Sequence, residues 1–291
     1  MKTKIMMLVM ITVTLGFIDT ADAESLSIYE IQFTTEVDGA SPEDGNIVDC
    51  LGGIVTHKTS GSRPRLVIQD VNENRGWNAI QVKGWVRDAF DAVSTGDEVS
   101  LHNVLVEEYK GMTFLQYKSE NNAYFEIISS GNNLPKPIMV SIEDINAPID
   151  SVDAVTVDNH NAEKYESALI QVINVHVQDT GYGKAYDNYL LTSNANSSLT
   201  CWASDYMNSD IDDGAIYHTY VGIGQSFCAV SGILEQYTAE SDGINYDYYQ
   251  LLTKNTASFS FQHIADLDGD GDVDFDDYDV FGKYWRLYEG K

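Results

Sequence analysis

Basic residues are scarce in this 291-residue chain: 17 Lys and Arg stand against 45 Asp and Glu, a formal charge of -28. A surface that acidic repels phosphate backbones and anionic membranes, which predicts against nucleic acid as a partner and favours cations or basic proteins. Lys58, Arg63 and Arg65 stand close together, a grouping that reads as a solvated loop rather than a patch. Cysteine is also scarce. Three residues, none in a Cys-x-x-Cys pair, speak against zinc and covalent haem, and an odd number leaves at least one thiol unpaired. Cys201 and Cys228 share one half of the chain and are the pair expected if a disulfide forms. Cys50 lies in an apolar strand, where a buried thiol behaves as a small hydrophobe.

Catalytic signatures are missing as well. The chain holds no His-Glu-x-x-His, no Gly-x-Ser-x-Gly and no phosphate-cradling glycine loop, and its six histidines are scattered. The expectation is a non-catalytic protein, although residues distant in sequence can converge in a fold.

What is present begins with a signal peptide over residues 1–23. Lys2 and Lys4 precede the apolar run Ile5–Ile18, and Ala21-Asp22-Ala23 supplies a small-residue cleavage site. The run is too short for a stable membrane span, so a secreted or periplasmic chain is expected.

The body reads as strands rich in β-branched and aromatic residues, parted by Gly, Asn, Asp and Ser. One series runs Ile47–Thr56, Arg65–Gln69, Ala79–Val82, Glu98–Glu107 and Thr113–Tyr117. A second runs Ala168–Gln178, Tyr189–Thr192, Leu199–Trp202, Phe227–Gln236 and Tyr248–Leu252. The two series repeat one order of features. Ile47–Thr56 aligns with Leu169–Val177, Gly96–Val99 with Gly224–Phe227, and Val104–Tyr109 with Gly232–Tyr237. Five strands with a long first strand suit a small closed barrel, because closure removes exposed sheet edges. The fold class expected is mainly β: two tandem five-stranded barrels over 24–134 and 166–262, a linker over 135–165 with a short helical turn at Ser141–Ile145, and a C-terminal segment over 263–291.

A resemblance follows from Ile28–Gln32, Ser41–Gly45, Gly53–Thr56, Leu66–Asp70, Gly96–Val99, Leu134–Pro137 and Tyr165–Val172. Together these are similar to the OB-fold module found beside secreted bacterial nucleases, and the likeness spans about Ile28–Phe261. It implies fold far more than activity.

The C-terminal segment carries Asp266, Asp268, Asp270, Gly271, Asp272, Asp274 and Asp277, which fall at positions 1, 3, 5, 6, 7, 9 and 12 of a twelve-residue loop. Hard oxygen ligands at alternate positions wrap one Ca2+, position 7 lends its carbonyl, and the glycine permits the sharp bend. Downstream, Tyr278, Phe281 and Trp285 form an apolar stripe at helical spacing. Loop and helix together resemble one half of a dockerin, which implies docking to a protein. The leading expectation is therefore a secreted assembly, scaffold or accessory factor. Its partner would be a protein, basic or multisubunit, or further copies of the chain, and Tyr278, Phe281 and Trp285 would be the contact. The alternative is an oligosaccharide- or nucleic-acid-binding module; a calcium-supported hydrolase ranks third.

Eighteen tyrosines offer a stacking face for sugars or bases. Individually they read as ordinary strand composition. Loops 181–189 and 204–226 are long enough for function to sit there.

Overall fold

The computed structural model describes residues 23–36, 39–59, 63–73, 76–145, 155–156, 161–182, 188–195, 197–204, 221–241, 244–254 and 256–261. Six C-terminal residues between 275 and 282 are described as well. In chain order the elements are β1 (Glu24–Leu26), α1 (Ile28–Gln32), β2 (Ile47–Thr59), β3 (Arg65–Gln69), β4 (Ala79–Gly84), α2 (Arg87–Asp91), β5 (Glu98–Tyr109), β6 (Met112–Tyr117) and β7 (Tyr124–Ser129). The second half holds β8 (Ile138–Val140), α3 (Ile142–Ile145), β9 (Val155–Thr156), β10 (Leu169–Tyr182), β11 (Asn188–Ser193), β12 (Thr200–Ser204), β13 (Ser226–Ser241), β14 (Ile244–Leu252) and β15 (Phe259–Phe261).

Each half closes a five-stranded barrel. The first runs β2–β3–β4–β6–β5 and returns to β2, with β4 and β6 parallel. The second runs β10–β11–β12–β14–β13 and returns to β10, with β12 and β14 parallel. One parallel pair between the third and fifth strands, with the first strand closing on the fourth, is the OB topology. Strand alternation buries Leu66, Ile68, Ile80, Val82 and Leu115 in the first barrel and Val172, Leu191, Cys201, Tyr249 and Leu251 in the second.

The duplication extends to hydrogen bonds. Gly96 N–H donates to the Val55 carbonyl as Gly224 N–H does to that of Val177, and both glycines have positive φ (90° and 84°). The long first strand of each barrel contains one left-handed residue at the same aligned position. It is Gly52 (φ 78°) in β2 and Asn174 (φ 52°) in β10, where Asn is the side chain best able to replace glycine. A Cβ on Gly52 would lie 1.7 Å from the Val99 carbonyl oxygen, so β2 and β5 close the barrel only with glycine there.

Each barrel also has a preceding parallel strand and capped turn. β1 joins β2 and β8 joins β10. Ser27 Oγ accepts from Glu30 N–H while Glu30 Oε2 accepts from Ser27 N–H, and Ser141 and Asp144 repeat the arrangement. The stretch given to a linker thus contains β8 and α3, the latter where a helical turn was expected.

The three cysteines are buried and none is in a disulfide, so the pair favoured if one formed, Cys201–Cys228, is not bonded. β14 lies between β12 and β13, so two strand spacings of about 4.8 Å separate the two cysteines, beyond disulfide reach. Burial pushes the Cys50 and Cys201 thiols up to about 12. Cys50 packs in the first core, as expected of a small hydrophobe.

Candidate ligand-binding seam

The face of an OB barrel built on its second and third strands is its usual ligand platform. In the first barrel that face is covered. Val67 packs with Leu169, Ile233 and Leu252 of the second barrel, and Gln69 Oε1 accepts from Leu169 N–H at 3.1 Å. Thr238 N–H donates to the Lys110 carbonyl at 2.9 Å, and Lys254 Nζ donates to that of Thr56 at 3.2 Å.

Ionisable groups line this seam. Glu166 Oε1 accepts from Gln32 Nε2 and Thr113 N–H, both at 3.2 Å. Burial, then the neighbouring Glu163 and Glu108 carboxylates, hold the Glu166 carboxyl well above its ordinary range. Tyr249 O–H donates to Glu163 Oε2 at 2.5 Å, and burial followed by that carboxylate raises the phenol. Arg65 lies 3.6 Å from Glu235, which accepts from Gln250 Nε2 at 3.1 Å. Lys83 stands over the Phe114 ring at 4.1 Å, and burial pushes its ammonium down to about 8.

Beyond the charged layer the seam turns aromatic. Tyr237 and Tyr248 are cross-strand partners with ring centroids 5.6 Å apart, and Tyr248 lies 6.2 Å from Trp202. Alternation along β12 and β14 turns Trp202 and Tyr248 to the face opposite Cys201 and Tyr249, where Trp202 stays buried in the core cluster and Tyr248 packs against it. The first barrel contributes the other end. Its β5–β6 turn sets Lys110 Nζ 4.6 Å from the Tyr237 ring and 5.6 Å from that of Tyr109, which is 56% exposed. A row Tyr109–Lys110–Tyr237–Tyr248–Trp202 therefore crosses from one barrel to the other, buried at Trp202 and open at Tyr109. Flat rings with a cation among them stack on sugar or base faces.

Sequence reasoning named Tyr237 and Tyr248 without separating them from the core residues Tyr189 and Tyr249. Residues 183–187 and 205–220 of the two long loops lie outside the described residues. So do the calcium-loop positions Asp266, Asp268, Asp270, Asp272, Asp274 and Asp277, and Trp285. Tyr278 and Phe281 are helical and exposed, 69% and 48%.

A separate polar cluster sits on the first barrel. His102 Nδ1 is 2.9 Å from Asp49 Oδ2, and Nε2 is 3.3 Å from Ser100 Oγ and 3.4 Å from Glu126 Oε2. The order Asp–His–Ser is that of a nucleophilic relay, but a second carboxylate shares the nitrogen that would serve the hydroxyl. The imidazole, stacked on Tyr124 at 4.4 Å, instead bridges β2, β5 and β7.

No family model matches the chain, and no curated sequence matches it. Solved structures do. An OB domain from Methanosarcina mazei is 18% identical over 33% of this chain and 85% of its own (TM-score 0.26). Pot1pC from Schizosaccharomyces pombe, bound to single-stranded DNA, is 16% identical over 34% and 84% (TM-score 0.27). A murine DNA-binding protein with double-stranded DNA is 9% identical over 72% and 97% (TM-score 0.35). The chain is a tandem OB-fold protein by its strand topology.

Two expectations are corrected here: a protein-docking scaffold, and nucleic acid as a partner to be set aside. The OB structures it resembles include complexes with DNA. The physical reason is that net charge does not describe a local surface. The seam brings rings together with Arg65, Lys83 and Lys110, and its carboxylates Glu163, Glu166 and Glu235 are themselves buried or paired there.

Proposed function

We propose that this chain is a non-catalytic binding module that holds a linear, ring-bearing polymer, nucleic acid or oligosaccharide, by stacking its rings at the seam between two OB barrels. The observation that carries this reading is the row Tyr109–Lys110–Tyr237–Tyr248–Trp202, assembled from both barrels. Each stacked base contributes about 1–3 kcal/mol. Tyr248→Ala is therefore expected to weaken binding of an oligothymidylate or an oligosaccharide by roughly that amount, measured by titration calorimetry, with the barrel fold retained. Unchanged affinity in that variant refutes the row as the binding surface.

The signal-peptide pattern supports a place outside the cytoplasm, and no helix among the described residues is long and apolar enough to cross a membrane. We further propose that Asp266–Asp277 holds Ca2+, on the chemistry of its donor set: carboxylates at alternate positions with glycine at the bend. Extracellular calcium modules bind at about 10⁻⁴–10⁻³ M. Terbium luminescence, sensitised by Trp285 and Tyr278, should saturate in that range and vanish in Asp266→Ala. A signal that survives this substitution assigns the ion elsewhere.

A further inference from the structure

The open end of the seam has a second wall. On the second barrel, cross-strand pairs step outward along β13 and β14: Ile233 with Leu252, then Glu235 with Gln250, then Tyr237 with Tyr248. On the first barrel Val67 packs with the first pair and Arg65 reaches the second. Arg65 pairs with Lys83 across β3 and β4, and two residues beyond each, just outside the strands, stand Arg63 and Trp85. Arg63 lies 4.1 Å over the ring of Trp85, which follows β4 and is 62% exposed.

We propose that the stacked pair Arg63–Trp85 is a second contact for the polymer held on the aromatic row, and that the polymer is single-stranded nucleic acid. The proposal rests on the stacking function above and adds a ligand class to it. A guanidinium lying flat on an indole keeps its N–H edge for two parallel bonds to a phosphate, and the indole offers a further platform to a base. Charge points the same way. Between residues 58 and 91 six basic side chains stand against four acidic ones, in a chain whose net charge is -28. A neutral sugar chain gains little from that local inversion, whereas a phosphodiester strand gains directly. The neighbouring cations are already engaged. Lys58 Nζ donates to the Asp91 and Val93 carbonyls, Arg87 pairs with Asp91, and Arg65 pairs with Glu235. Arg63, set against an aromatic face, is the cation placed to meet a ligand.

The test is fluorescence anisotropy of an oligothymidylate of about 16 nucleotides, the upper site size of an OB barrel, with the full chain at several salt concentrations. The expected log–log salt slope is about -0.7 per phosphate contacted, and Arg63→Gln should reduce its magnitude by about 0.7. Trp85→Ala should lower affinity about 5- to 150-fold. Both side chains are on the surface, and circular dichroism will confirm that the variants fold. Binding that needs Tyr248 but ignores Arg63 and Trp85 overturns the second contact and leaves the stacking function standing. Binding of a neutral oligosaccharide with no salt dependence, and of no oligonucleotide, overturns the nucleic-acid class alone. Binding of neither polymer overturns both.

Discussion

Glu235→Ala is expected to lower stability by about 3–5 kcal/mol at neutral pH, the cost of stranding a buried charge. Glu235 is the anion between Arg65, at 3.6 Å, and Lys83, and it also accepts from Gln250. Burial pushes its carboxyl up, and Arg65 followed by Lys83 opposes that rise. Without it two cations face each other in a seam whose next layer is the apolar cluster of Val67, Leu169, Ile233 and Leu252. Urea unfolding should show the loss, and a decrease in the size of the cooperative unit if the barrels part. Glu235→Gln, which keeps an acceptor, should cost less. A loss below about 1 kcal/mol would show the pair to be solvated like a surface salt bridge.

Lys83→Met is expected to do the opposite, stabilising the protein by roughly 2–3 kcal/mol at pH 7. Burial, then Arg65, depresses the Lys83 ammonium to about 8, against about 10.4 in an unfolded chain. Between those values the unfolded chain holds the extra proton, so wild-type stability gains from this group as pH rises through that window. It loses the same contribution as pH falls back through about 8. Methionine removes the penalty of burying the ammonium and keeps the packing on Phe114. The variant's advantage should shrink toward zero by about pH 10. An advantage that stays constant with pH would assign the gain to packing rather than charge.

The barrels were legible because strand alternation and turn chemistry are local. Ten expected strands coincide with barrel strands, and the alignment that pairs Gly52 with Asn174 recovers the one left-handed kink in each first strand. The seam was not legible. Val67 and Leu252 are separated by most of the chain, and nothing in either strand says which outer face meets another barrel. Alternation does assign Tyr248 and Tyr249 to opposite faces, but only closure tells which face is interior. Trp85 went unnoticed because a lone aromatic after a strand carries no pattern. The local excess of cations around it was the available signal, and the reading of Lys58, Arg63 and Arg65 as a solvated loop passed over it.

A polymer bound as proposed lies along the seam between the barrels. Photocrosslinking of a single strand substituted with 5-bromouracil, followed by mass spectrometry of the full chain, tests it most directly. Adducts are expected on peptides carrying Trp85, Tyr109, Tyr237 and Tyr248, competed away by unlabelled strand. Adducts confined to the outer face of β2, β5 and β7, around His102 and Tyr124, would contradict that placement.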